Sequence, residues 1–445
     1  MTTRIRPISL TNLVLFSVVV SLNSFNSAKA DLRIPAQRSN IQNLQLPVSN
    51  KQQFPKMPLS TADRYVVDAN GERFKLKSVN WYGPHVAKQV VEGLEHQSLE
   101  HIVKLIKDYG FNSVRLPFSN EMLHDNKPVN PEWVQANPSF IGLTPLQVFD
   151  ETVRALTSAG LVVILNNHTT ISEWCCIYDY NGLWHHTGSN RAYNQTSSMW
   201  QNDWLFLVDR FKNNPFVAGV DLRNEVRTSR LGDTHLPDMP NWGKRDDNDW
   251  NKAAEELGNQ ILQQNPNLLI IVEGINWWGT IPMLGSGERP HLRPIRTLPI
   301  HLNVANKLVY AAHNYAFIGP RHTGDNRNSR GNITYGEMSE ESFFNTITEE
   351  WAYILESQKY YTAPVWLSEF GVRHTNPSDQ DRVWFDRIVS FLLKNDVDFA
   401  YWPLNHEDFG LVNEIWSDHR ADDWRYETMQ KLLRFDGFSG SVTIP

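Results

Sequence analysis

Cysteine is almost absent from this 445-residue chain: two residues, adjacent, at 175 and 176. One neighbouring pair cannot staple a fold, so a disulfide framework is excluded. No long apolar run follows the first thirty positions, which excludes a bundle of membrane-spanning helices. Basic charge is also short. A formal charge of −7 and a pI near 6.1 argue against a nucleic acid partner, because no basic stripe exists to neutralise phosphates. There is no G-x-S-x-G elbow, no glycine-rich phosphate loop and no Cys/His spacing suited to a metal. What the chain has in excess is indole: 16 Trp, beside 14 Tyr and 21 Phe. Flat apolar faces of this kind bind sugar rings by stacking. A hydrophobic content of 41% supplies a sizeable core and excludes wholesale disorder.

Residues 1–30 combine Arg4 and Arg6, an interrupted apolar stretch from Leu10 to Leu22, and Ala28-Lys29-Ala30. A basic start, a short greasy centre and an A-x-A site predict a cleaved secretory signal peptide. The stretch is too short to span a bilayer, which takes about 20 residues. The segment carries three positive charges and no acid, so its removal leaves −10. The mature protein is expected in the periplasm or outside the cell, off the membrane and monomeric. Residues 31–60, rich in Gln, Asn, Pro and Ser, read as a flexible arm. Residues 61–440 read as one catalytic domain. Across a trans peptide, Cys175 and Cys176 have Cα atoms about 3.8 Å apart, below the preferred disulfide range, so two buried thiols are expected ahead of the alternative, a strained vicinal disulfide formed in an oxidising compartment. His185 and His186 read as solvated loop residues.

Short runs apolar on both sides of the pleat recur at Phe74–Trp81, Ser113–Pro117, Leu161–Asn166, Val217–Arg223, Leu268–Val272, Leu308–His313, Val365–Ser368 and Phe399–Trp402. Such runs suit parallel strands buried on both faces. Helical periodicity fills roughly 98–109, 145–160, 198–212, 248–264, 340–357, 378–394 and 422–434. The proline-rich stretch 274–307 has room for one short helix only. Eight strands with intervening helices predict an α/β fold, a (β/α)8 TIM barrel, rather than a doubly wound sheet.

In such a barrel the C-terminal strand ends face the site. Polar residues collect there: Arg115, His168, Asn224-Glu225, His313, Tyr315, Glu369 and Trp402. Two carboxylates, an arginine, two histidines, a tyrosine and indoles suit glycoside cleavage, in which one carboxyl protonates the leaving oxygen and the other attacks or activates water. The carboxylate beside Arg115 should keep a low pKa; spacing alone does not say which glutamate that is. Glu273, in IVEG, reads as a supporting carboxylate.

The segments SVRLPFS, NNH, DLRNE, VYAAHNY, VWLSEFG and YWPLN, in this order over about residues 61–435, resemble glycoside hydrolase family 5, the cellulase family, and most closely its bacterial endo-β-1,4-glucanases. The resemblance implies Glu225 as general acid/base and Glu369 as nucleophile of a retaining O-glycosyl hydrolase. It further implies that Asn224 binds the 2-hydroxyl of the sugar being cleaved. Arg115 and Tyr315 would orient Glu369, and His168 and His313 would bind hydroxyls nearby. Trp402 would lie under that sugar and Trp81 would be a stacking wall one subsite away. No cofactor or metal is implied, and the partner is a β-linked polysaccharide or oligosaccharide. β-Mannan or another β-glucoside is the alternative substrate; a carbohydrate-binding protein without turnover is the alternative of another class. Where the family commonly has proline after the acid/base, Val226 stands here. The aromatic insertion 169–190 is expected to cover part of the cleft, and one or two of Trp174, Trp184, Trp277 and Trp278 to line it.

Overall fold

The computed structural model describes residues 54–176, 179–186, 194–230, 237–277, 289–321 and 333–438. Eight strands close into a parallel barrel, as the alternation of buried runs and helices predicts. They are β1 (Lys77–Asn80), β2 (Ser113–Ser119), β3 (Val162–Thr169), β4 (Val217–Asp221), β5 (Leu269–Glu273), β6 (Leu308–Tyr315), β7 (Val365–Gly371) and β8 (Asp398–Tyr401). Each pairs with its neighbours in chain order, and β8 closes onto β1. The signal segment and most of the arm lie outside the described residues.

The longer helices among the described residues are α1 (Leu99–Tyr109), α2 (Pro145–Ser158), α3 (Ser197–Phe211), α4 (Trp250–Gln264), α5 (Glu340–Glu350), α6 (Asp379–Lys394) and α7 (Tyr426–Arg434). Their ends are written locally. Thr144 and Gln147 form a capping box ahead of Pro145. α1 starts on Ser98, whose side chain accepts from the His101 N–H, and stops at Gly110, whose φ of 110° belongs to the left-handed region. Between β5 and β6 the only helical element among the described residues is a 3-10 turn, Arg293–Arg296.

Period-2 alternation divides the strand residues between two environments. Leu76, Val162, Ile164, Leu269, Ile271, Val309, Ala311, Trp366 and Ala400 fill the barrel interior. Their neighbours, such as Val79, Val114, Leu116, Val163, Ile270 and Leu367, pack outward against the helices. A hairpin not foreseen from the sequence, Ser60–Ala62 with Tyr65–Val67, adds Val66 to the interior cluster.

Candidate active site

The inward-facing series turns polar toward the C-terminal strand ends. Following the apolar layer come Asn80 on β1, Arg115 on β2, Asn166 and His168 on β3, Asp221 on β4, Glu273 on β5, His313 and Tyr315 on β6, and Ser368 and Glu369 on β7. Arg115, fully buried, has five N–H groups and five acceptors. Nε donates to Asp221 Oδ2 at 2.8 Å; Nη1 donates to Asn80 Oδ1 at 3.0 Å and Glu369 Oε1 at 2.5 Å; Nη2 donates to Asn224 Oδ1 at 2.7 Å and Glu273 Oε1 at 2.9 Å. One guanidinium thus ties four strands and the loop after β4 to a common centre.

The two glutamates have different surroundings. The Tyr315 hydroxyl donates to Glu369 Oε2 at 2.7 Å, so Arg115 and Tyr315 hold one oxygen each. Glu225 lies just past β4 with φ at 40°, a left-handed conformation that any residue with a Cβ disfavours. Its N–H donates to Glu273 Oε2 at 2.8 Å, and Asn276 Nδ2 donates to its Oε2 at 3.1 Å. The following Val226–Arg227 pairs with Ile275–Trp277, which is how the loop runs with valine in the place of proline. His313 links the acids. Its Nδ1–H donates to Glu225 Oε1 at 2.8 Å and Nε2–H to Ser368 Oγ at 3.0 Å, with Glu273 and Glu369 oxygens each 3.5 Å away.

Burial alone would lower His313, but Glu273, Glu369 and Glu225 raise it well above the ordinary imidazole range. Burial raises Glu225, yet the hydrogen bond and charge of His313 outweigh it and hold the carboxyl well below the usual range. Glu369 is lifted by burial; His313 and Arg115 oppose this, while the negative charges of Glu225 and Glu273 add to it. The expectation that a carboxylate beside Arg115 keeps a low pKa is therefore corrected for Glu369, though it holds for Glu273: four acids, Asp221, Glu225, Glu273 and Glu369, share two cations, Arg115 and His313. His168 is neutral, lowered by burial and by His85 and Arg115. Asn166 Nδ2 donates to Asp221 Oδ2 at 2.9 Å, which aims Asn166 Oδ1 at His168 Nδ1, 2.7 Å away, and assigns the proton to Nδ1.

These groups open onto a cleft of about 460 Å3 lined by Glu225, Glu369, His168, Tyr315 and Trp402, with Trp174, His85 and Phe409 among its walls. The Trp402 indole runs nearly parallel to the Tyr82 and His168 rings, at 15° and 12° between planes with centroids 5.5 and 5.4 Å away. Trp81 is not in the cleft. It is fully buried, bonds Glu92 O through Nε1 at 2.9 Å and packs near Trp416. It shares the outward parity of Val79, so the expected stacking wall is corrected to a core residue. Most of the other indoles are core too: Trp184, Trp200, Trp204, Trp250, Trp351, Trp366, Trp384 and Trp416 are all under 2% exposed. Trp366 belongs to the barrel interior, and the other seven fill the layer between barrel and helices. Trp174 does reach the cleft, 53% exposed; Trp278 and the Trp277 side chain lie outside the described residues.

The loop after β3 contributes Trp174, Cys175 and Cys176 to the cleft. The two cysteines are half-buried and joined to each other. This corrects the expectation of two buried thiols, which assumed a trans peptide; the bond between them is cis, with Cα atoms 3.1 Å apart. His186 is likewise buried rather than solvated. Arg223 anchors the loop through Asn181 O and Leu183 O, both at 2.7 Å, and Arg227 does so through Asp179.

Among the described residues, two clusters have donor spacing compatible with a cation. In one, His168 with Cys175 and Cys176, both sulfurs are already bonded to each other. In the other, Glu225, His313 and Glu369 present atoms within 4.8 Å of one another, but Arg115, Tyr315 and the imidazolium already occupy them. Sequence reasoning missed Asn80, Asp221 and Ser368, whose inward parity at strand tops was the available signal. It also missed Asn276 and Arg289, which sit beside Glu225 and hydrogen-bond each other, with no signal at all.

A family model described as cellulase (glycosyl hydrolase family 5) matches residues 67–408. An endoglucanase of Paenibacillus polymyxa is 28% identical over 375 residues, 80% of this chain and 83% of its own. The major extracellular endoglucanase of Xanthomonas campestris pv. campestris is 28% identical over 401 residues, 85% and 71% of the two chains. Among solved structures, the catalytic domain of the major endoglucanase from that organism superposes with a TM-score of 0.67 at 26% identity, covering 84% of this chain and 99% of the other. The hyperthermophilic endocellulase from Pyrococcus horikoshii gives 0.66 at 25% identity, covering 86% and 100%.

Proposed function

This chain belongs to glycosyl hydrolase family 5, and from that premise we propose that it is a secreted endo-β-1,4-glucanase working by double displacement, with Glu369 as nucleophile and Glu225 as general acid/base. One observation carries the reading: an oxygen of each glutamate lies within 4.8 Å of the other, at the mouth of one cleft. Retaining glycosidases hold their carboxyl groups about 5–5.5 Å apart, whereas inverting ones leave about 6.5–9.5 Å for a water. The extracellular relative and the basic, apolar, A-x-A start of the chain support secretion.

Acid catalysis requires a proton on Glu225. The proton rests on His313 Nδ1 and has 2.8 Å to cross to Oε1. Its transfer makes Glu225 the acid and leaves His313 neutral. Glu369 attacks the anomeric carbon as a carboxylate, its oxygens held by Arg115 and Tyr315 against rotation. Glu225, having given its proton to the leaving oxygen, then takes one from the water that releases the sugar. Trp402 lies under the ring, and Asn224 and His168 meet its hydroxyls. A β-1,4-glucan is preferred to mannan because the named relatives are endoglucanases.

Glu369→Ala should lower kcat by about 10⁴-fold or more. Azide should restore turnover of an activated aryl cellobioside, giving a glycosyl azide of inverted configuration. Near-normal turnover without azide would remove Glu369 as the nucleophile.

A further inference from the structure

We propose that the Cys175–Cys176 disulfide is a positioning element for Asn224, and through it for the sugar hydroxyl beside the scissile bond. The inference rests on the roles of Asn224 and the two glutamates proposed above. Asn224 Nδ2 lies 3.3 Å from Cys176 Sγ and 3.5 Å from Cys175 Sγ, while its Oδ1 accepts from Arg115 Nη2 at 2.7 Å. Flipping the amide would set its NH2 against the guanidinium and its oxygen against two sulfurs. The pair of contacts therefore fixes which way the amide faces. Joined sulfurs carry lone pairs and no hydrogen, so they can only accept. Two thiols would bring S–H donors on side chains free to turn separately.

The sulfurs are held in place from outside. Ser172 N–H donates to Glu121 Oε2 at 2.7 Å, Asn181 Oδ1 accepts from Thr170 and Ile171, and Arg223 and Arg227 grip the far side of the loop. Both cysteines also line the cleft beside Glu225 and Trp174. The amide nitrogen has two N–H groups; the disulfide takes one and leaves the other for the 2-hydroxyl, a contact that strengthens in glycosidase transition states. Cys175 and Cys176 are the chain's only cysteines, so a thiol reductant can act on no other bond. A dithiol passes two electrons and two protons to the sulfurs, giving two thiols, and closes to its own disulfide.

The test uses the full chain, an aryl β-cellobioside, and its analogue lacking the 2-hydroxyl on the ring next to the aryl group. The double variant C175A/C176A should lose about tenfold or more in kcat on the parent substrate at nearly constant KM. It should be unchanged on the 2-deoxy analogue, and adding N224A should cost no more than N224A alone. Dithiothreitol should produce the same selective loss in the unaltered protein, reversibly on reoxidation, and have no effect on C175A/C176A; this arm also serves if the variant does not fold. Equal losses on both substrates, effects additive with N224A, or unchanged kinetics overturn the inference. If N224A loses activity and C175A/C176A does not, the inference fails alone. If N224A itself is without effect, the reading of Asn224 falls with it.

Discussion

At His313 three carboxylates converge on one imidazole, and the proton it carries decides what the site can do. Glu369 attacks only when ionised, and burial with the charges of Glu225 and Glu273 lifts it. Activity should therefore rise as pH climbs through a value above the ordinary carboxylate range. The proton shared by His313 and Glu225 must be kept, and the surrounding acids hold His313 well above its ordinary value. Activity should fall only as pH passes that higher point. The profile of kcat/KM is thus a bell with both limbs displaced upward, and its apparent constants belong to the cluster. His313→Asn should pull the alkaline limb down by about one pH unit or more; an unmoved limb would mean that the proton is held elsewhere. Much of this centre is legible in sequence because charged and polar side chains interrupt apolar strands at their ends, as Arg115, His313 and Glu369 do. Asn80, Asp221 and Ser368 are legible only in part: their parity marks the inward face, but a single small polar residue there does not show whether it meets a ligand or a neighbour.

Alternation along a strand sends successive residues to opposite sides, and two tryptophans show the consequence. Trp402 follows Tyr401 at the end of β8 and lines the cleft; Trp81 follows Asn80 at the end of β1 and enters the helix layer, because Asn80 faces Arg115. Trp402→Ala should weaken binding of cello-oligosaccharides about tenfold, measured by calorimetry in a Glu369→Ala background. Trp81→Ala should do the reverse, costing about 3–5 kcal/mol of stability in chemical denaturation with little effect on affinity. Equal effects on binding would return Trp81 to the cleft. The eight strands were legible because each is apolar on both faces. The hairpin Ser60–Ala62 with Tyr65–Val67 was not, since three-residue strands are too short to display a period. The helix Asn120–His124 is hidden likewise, at five residues.

For the whole molecule, the question is where the folded unit begins. The barrel floor is closed by residues that precede β1: Leu59 and Val66, both fully buried, with Phe74 beneath Leu76. Lys307 Nζ donates to Leu59 O at 2.8 Å, and the Lys56 N–H donates to Asp68 Oδ2 at 3.1 Å. The Phe54 ring covers Gly160, where a Cβ would collide with it. The arm thus becomes part of the domain several residues before position 60. A chain starting at residue 54 should keep the Tm and kcat/KM of one starting at residue 31. A chain starting at residue 68 lacks Leu59 and Val66, each contributing about 1.5–3 kcal/mol by burial, and leaves the apolar interior of the barrel open to water. Its Tm, followed by circular dichroism, should fall by at least about 5 °C. Its active-site residues are all retained, so whatever fraction remains folded should keep its KM. A raised KM at unchanged Tm would mean that the hairpin supports the cleft rather than the floor, the opposite of what the position of Leu59 beneath the apolar layer requires.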